Sequence, residues 1–233
     1  MTFSICVRED GDGKSGDGRE ADGSGDRGGG EPTFAVAVAT DAPAVGALAP
    51  CVSHEGAIST QSFVNVRLGR RGIALLPDLA VDDALSGLLE QDDHAELRQV
   101  HGVDFRGNAF TFTGEGCDGW AGHRVEEADG ITAAGNMLVG SDTVDALVET
   151  YRESEGPIGR RLLDALDAGR DAGGDGRGHT SAAIAIKAPK TTAYHDLRVD
   201  EHETPIAELR RVYEAAREAS DGFSEDSKER IFD

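Results

Sequence analysis

The chain has 233 residues, room for one sizeable hydrophobic core or two small ones. Its 44 acidic and 23 basic side chains leave a formal net charge of −21, which excludes a general nucleic-acid binder. No apolar run approaches the roughly 18 residues of a membrane span, so no membrane partner is expected either.

The first half of the chain is dominated by β patterns. Phe3–Arg8 and Thr33–Thr40 are rich in β-branched and apolar residues and predict a hairpin. Between them, residues 9–32 hold nine Gly and eight Asp or Glu, with Ala21 the single apolar side chain. Such a stretch cannot offset its ordering entropy by burial, so it predicts a disordered acidic loop. It spells G-x-G-x-x-G twice, from Gly11 and from Gly23, but neither copy opens a helix inside a strand–helix–strand unit. Further strands are predicted at Val45–Val52, Gly56–Gln61, Arg98–Asp104, Ala109–Thr113, Gly130–Asn136, Ser181–Lys187 and Thr192–Val199, with Arg106-Gly107-Asn108 as a tight turn.

Apolar spacing predicts helices near Val81–Gln91, after Ser141 as a good N-cap, over Ile158–Leu166, and over Ile206–Ala216. Residues 221–233 read as a polar tail. Strands and helices in separate blocks argue one α+β domain over residues 1–220, built on antiparallel sheets.

Four Lys against nineteen Arg, with the acidic excess, describe a protein adapted to molar salt, where the self-repulsion of −21 is screened. A halophilic, archaeal source fits that composition. Cys6, Cys51 and Cys117 are too scattered for a disulfide framework or a zinc site. His195, Asp196, Asp200 and His202 lack the compact spacing of metal ligands. Gly173–Thr180 mimics a phosphate loop, but His179 stands where its Lys belongs and a strand follows. No cofactor and no metal are therefore expected. The opening MTFSICVRED lacks the basic and apolar blocks of a signal peptide, which predicts a cytoplasmic protein.

Thr2 would become the first residue if the initiator Met were removed, and a terminal Thr carries a hydroxyl and an amine on one residue. That amine, with an ordinary pKa of about 7.7–8.0, could take the hydroxyl's proton. By position alone, Thr is also an ordinary second residue. Other candidates have similarly plain alternatives. Asn136 could donate to an oxyanion or simply end a strand; Thr60 and Gln61 could line a cleft or serve strand-end hydrogen bonding. Trp120 and His123 could form a pocket wall or pack. Asp41 could support a site or begin a turn before Pro43, and Asp175, Arg177 and Ser181 could be presented at a sheet end by a glycine turn or pair within it.

Six ordered segments go further: MTFSI, Ala57-Ile58-Ser59-Thr60-Gln61, Thr113-Gly114-Glu115-Gly116-Cys117 with Trp120-Ala121-Gly122-His123, Gly135-Asn136-Met137-Leu138, Gly173–Gly178 with Ser181-Ala182-Ala183, and Asp196–Asp200. Together they resemble the uncharacterised prokaryotic family catalogued as domain of unknown function 1028, placed in the N-terminal-nucleophile (Ntn) hydrolase superfamily. The resemblance implies a four-layer αββα sandwich and, in active members, an amidohydrolase whose nucleophile is the first mature residue, here Thr2. Three positions depart from the family pattern: Asp41 where a Lys or Arg is usual, Leu68-Gly69 for Tyr-Gly, and Thr180 for Gln.

The leading expectation is thus an amidohydrolase acting on a small-molecule amide or peptide-like bond, with room for a homo-oligomer. The alternative is a non-catalytic relative that binds a metabolite or assembles as a scaffold. A module for cationic partners rests on charge alone.

Overall fold

The computed structural model describes residues 1–11, 30–173, 179–189, 196–224 and 227. Strands β1 (Thr2–Gly11) and β2 (Gly30–Thr40) form the expected hairpin, paired from Thr2 opposite Thr40 to Gly11 opposite Gly30. The strands extend into both ends of the segment expected as a loop. Its centre, residues 12–29, lies outside the described residues.

The chain continues through β3 (Pro50–Val52), β4 (Gly56–Ser62), α1 (Val66–Leu75), α2 (Val81–Leu89), β5 (Arg98–Asp104), β6 (Ala109–Thr113), β7 (Trp120–Glu126) and β8 (Ile131–Leu138). It ends with α3 (Asp142–Glu153), α4 (Ile158–Asp171), β9 (Ser181–Lys187), β10 (Asp196–Val199) and α5 (Pro205–Asp221). Two antiparallel sheets result, ordered β10-β9-β2-β1-β8-β7 and β3-β4-β5-β6. The class is α+β.

Strand alternation explains the layers. Phe3, Ile5 and Val7 of β1 point to one side, where they meet Leu147 of α3, Leu162 and Leu166 of α4, and Leu209 of α5. Ile58 of β4 and Val100 of β5 meet Leu68 of α1 and Leu85 and Leu88 of α2. Cys6, Phe34 and Val36 from the larger sheet touch Ala57 and Val103 from the smaller one. Each sheet therefore lies between helices and the other sheet. Among the described residues, no helix is long and apolar enough to cross a membrane.

Several expectations change. The stretch predicted as one strand at Val45–Val52 is a 3-10 turn at Val45–Ala47 followed by the short β3. A β-carbon on Gly46 would lie 2.8 Å from those of Ala183 and Arg198, so this turn lies tight against the larger sheet. Helix α1 and strand β7 were not expected. Ser141 precedes α3 but makes no side-chain capping bond; its own backbone is already helical, at φ −70 and ψ −22.

Asp104 fixes the lower end of the smaller sheet. Its Oδ2 accepts from the Val81 N–H at the start of α2 at 2.9 Å, and its Oδ1 accepts from the Arg106 and Asn108 N–H groups in the β5–β6 turn. One buried carboxylate thus satisfies both a helix start and a hairpin.

Candidate functional site

Thr2 opens β1, with Thr40 opposite it on β2 and Asn136 opposite it on β8. Alternation turns Thr2 toward the smaller sheet, on the same face as Ser4 and Cys6. Its Oγ1 lies 2.9 Å from Thr40 Oγ1. Thr40 donates its hydroxyl proton to the Met1 carbonyl at 2.6 Å, so Thr2 must be the donor of the bond between the two threonines. The Met1 amine pairs with Asp41 Oδ1 at 2.8 Å and lies 3.6 Å from Met137 Sδ. The Met1 side chain itself is enclosed in the core that faces α3 and α4.

Deeper between the sheets runs a chain of polar side chains. Ser4 donates to Gln61 Oε1 at 2.8 Å, so the Ser4 hydroxyl can only accept from His101 Nε2, 2.7 Å away. That places a proton on His101 Nε2 and makes Nδ1 the acceptor from Thr132 Oγ1 at 2.9 Å. Gln61 Nε2 donates to Gln99 Oε1 at 2.7 Å, and Asn136 Nδ2 donates to the same oxygen at 3.1 Å. Gln99 Nε2 in turn donates to Thr113 Oγ1, Gly122 O and Gly135 O. Burial, with the nearby His123 adding to it, pushes the His101 pKa down to about 3, so the ring is neutral.

The candidate residues separate into three groups. Thr2, Asp41 and Asn136 come together at the head of β1, and Gln61 joins them through Gln99. Ser181, opposite Thr40 on β9, donates to Ala42 O at 2.6 Å and accepts from the Val45 N–H at 3.1 Å, so its hydroxyl holds the turn after β2. Thr60 and Trp120 lie elsewhere, and His123 reaches the Gln99 network only through Thr113. Thr60 faces α1, where a β-carbon on Gly69 would be 3.2 Å from its methyl. Trp120 packs on the helix-facing core, whereas His123 Nδ1 is hydrogen bonded at 2.9 Å to Thr113 Oγ1 across on β6, so the two share no wall. Asp175 and Arg177 lie outside the described residues.

Gln99, His101 and Thr40 were not singled out in the sequence. The available signal was Gln99 and His101 at alternate positions of a strand that is buried throughout. Beside Asn136 a cavity of about 250 Å³ opens between the turn after β4 and the end of β8, lined by Ser62, Phe63, Leu97, Asp118 and Met137 among others. Among the described residues, no group of three or more His, Cys, Asp or Glu is arranged to hold a metal ion. The three cysteines are free, and burial raises the Cys6 thiol and pushes Cys51 up to about 11, which leaves both protonated.

A model of the Family of unknown function (DUF1028) matches residues 27–209, most of the length just described. The chain belongs to that family. The DUF1028 chain is similar to a solved structure, protein SPO2555 from Silicibacter pomeroyi, which carries the same family assignment. That structure is 27% identical, with a TM-score of 0.77, over 92% of this chain and 85% of the other. No curated protein matches the DUF1028 chain significantly.

Proposed function

We propose that this DUF1028 chain is an Ntn-type amidohydrolase that cleaves a small amide or peptide-like bond through Thr2. The observation that carries the reading is the position of the Thr2 hydroxyl. It heads a central strand on the face between the sheets, hydrogen bonded to Thr40 at 2.9 Å and across from the amide-bearing Asn136. Two stacked antiparallel sheets with helices outside are compatible with the αββα sandwich of the Ntn superfamily.

In this reading removal of Met1 gives Thr2 the terminal amine. Thr2 Oγ1 attacks the amide carbonyl while the amine accepts the hydroxyl proton, directly or through one water. Asn136 and backbone N–H groups hold the oxyanion. The amine then passes the proton to the departing nitrogen as the carbon–nitrogen bond breaks, and water releases the acyl group from Thr2.

One observation favours the alternative of a non-catalytic metabolite-binding or assembly protein. Met1 is buried and its amine is gripped by Asp41, an arrangement that suits a retained initiator. Intact mass spectrometry before and after treatment with a β-lactone separates the two. The hydrolase reading expects a chain that begins at Thr2 and gains one adduct, lost in Thr2→Ala. Retained Met1, or equal labelling of Thr2→Ala, overturns the hydrolase reading and leaves the alternative in its place.

A further inference from the structure

The cavity beside Asn136 has three properties that do not follow from the Thr2 chemistry. The first is its backbone. Ala44, Ser62 and Met137 are the non-glycine residues with positive φ among the described residues, and two of them, Ser62 at 67° and Met137 at 56°, line this cavity. Left-handed backbone is unfavourable for a side chain as large as that of methionine and persists only where the surroundings impose it. Here Gly119 supplies the constraint: a β-carbon on it would lie 3.0 Å from Met137 Cα.

The second property is an exposed aromatic whose backbone is held by a buried ion pair. Phe63 is 68% exposed. Its carbonyl accepts from Arg98 Nη1 at 2.7 Å, and Arg98 is nearly buried, bonded by Nε and Nη2 to the two oxygens of Asp92 at 2.9 and 3.1 Å. Asn65 donates to the same carboxylate at 2.8 Å. The guanidinium beside Asp92 holds that carboxyl well below the usual carboxylate range, so the clamp stays ionised. A large apolar side chain presented to solvent on a rigid support is pre-organised for contact.

The third property is charge. Phe63, Leu97 and Met137 make the cavity's apolar surface, while Asp118 is the ionisable side chain in its lining. An acidic ligand group would meet that carboxylate; an uncharged apolar group would not. The site is also continuous with the head of β1, because Asn136, which lines the cavity, lies opposite Thr2 on the neighbouring strand.

We propose that this cavity is the specificity subsite of the enzyme and takes an uncharged aliphatic or aromatic group next to the scissile bond. The proposal rests on the reading of Thr2 as nucleophile. The substrate class is therefore an amide flanked by an apolar side chain, not an acidic one.

The test compares three β-lactones that differ only in their substituent, methyl, benzyl or carboxymethyl, by the rate at which each modifies Thr2. The benzyl compound should react about tenfold faster than the methyl compound, the increment expected from burying one apolar group, and the carboxymethyl compound slowest. Phe63→Asp, at an exposed position, should abolish the benzyl preference, bringing the benzyl-to-methyl rate ratio down to about one. If all three react at the same rate, or if the preference survives in Phe63→Asp, the subsite assignment is overturned and Thr2 remains the nucleophile. If none modifies Thr2, both readings fall together.

Discussion

The side-chain amide of Asn136, at the end of β8, donates to Gln99 Oε1 at 3.1 Å, so a residue of one sheet sets the direction of a residue in the other. Gln99 is fully buried and also accepts from Gln61.

Gln99→Leu should therefore be costly. It leaves the donors of Gln61 and Asn136 and the carbonyls of Gly122 and Gly135 without their partner in a dry environment. Each orphaned group costs about 1–3 kcal/mol, partly relieved by relaxation, so a loss of about 3 kcal/mol is expected in urea unfolding. Loss of less than about 1 kcal/mol would show that water replaces the amide.

His101 gives a pH dependence with a definite sign. Its folded pKa of about 3 lies below the ordinary 6.5, so the unfolded chain binds the extra proton between those values. Stability is full above about pH 6.5 and is lost as pH falls toward 3, by about 3 kcal/mol at pH 4. His101→Gln keeps a donor and an acceptor without a titrating ring. The stability difference between wild type and this variant should narrow steadily from pH 7 to pH 4, whatever the surface carboxylates do in both.

Salt should act in the opposite sense to acid. A net charge of −21 repels itself at low ionic strength, and at 1 M salt the screening length is about 3 Å. Melting temperature is expected to climb steeply between 0.1 and 2 M KCl, as salt adaptation requires (ionic strengths chosen to span the Debye range of about 10 to 2 Å). A flat curve removes that reading of the composition.

The β1–β2 hairpin offers a simpler test. Gly11 pairs with Gly30, so residues 12–29 connect two adjacent strand ends and a two-residue Asn-Gly turn can replace them. Shortening the connection lowers its closure entropy by at most about 2 kcal/mol. The shortened protein should melt at the same temperature or higher; a fall of several degrees would mean that the removed residues stabilise the fold.

Much of this architecture was legible because the central strands of the larger sheet are buried on both faces and carry continuous apolar runs, as Phe34–Ala39 does. Helix α1 was hidden by its own packing. Gly69 and Gly72 weaken helical propensity, yet β-carbons there would come within 2.9 Å of Cys51 Sγ, Ile58 and Leu85. Strand β7 was hidden because an edge strand buries little and shows weak alternation. At the site, Thr2, Asp41 and Asn136 were readable as strand ends that meet. Gln99 and the cavity were not, since both depend on how the two sheets face each other, a distance in space that no local spacing encodes.

The polar chain from His101 through Ser4, Gln61 and Gln99 to Asn136 has one consequence for assembly. Because Ser4 has a single proton to give, every donor and acceptor along the chain has an assigned direction. An apolar interface could settle at neighbouring offsets with little penalty, whereas here any other offset strands several amides at once. The sheets are thus keyed to one alignment, and that alignment is what brings the cavity to the head of β1.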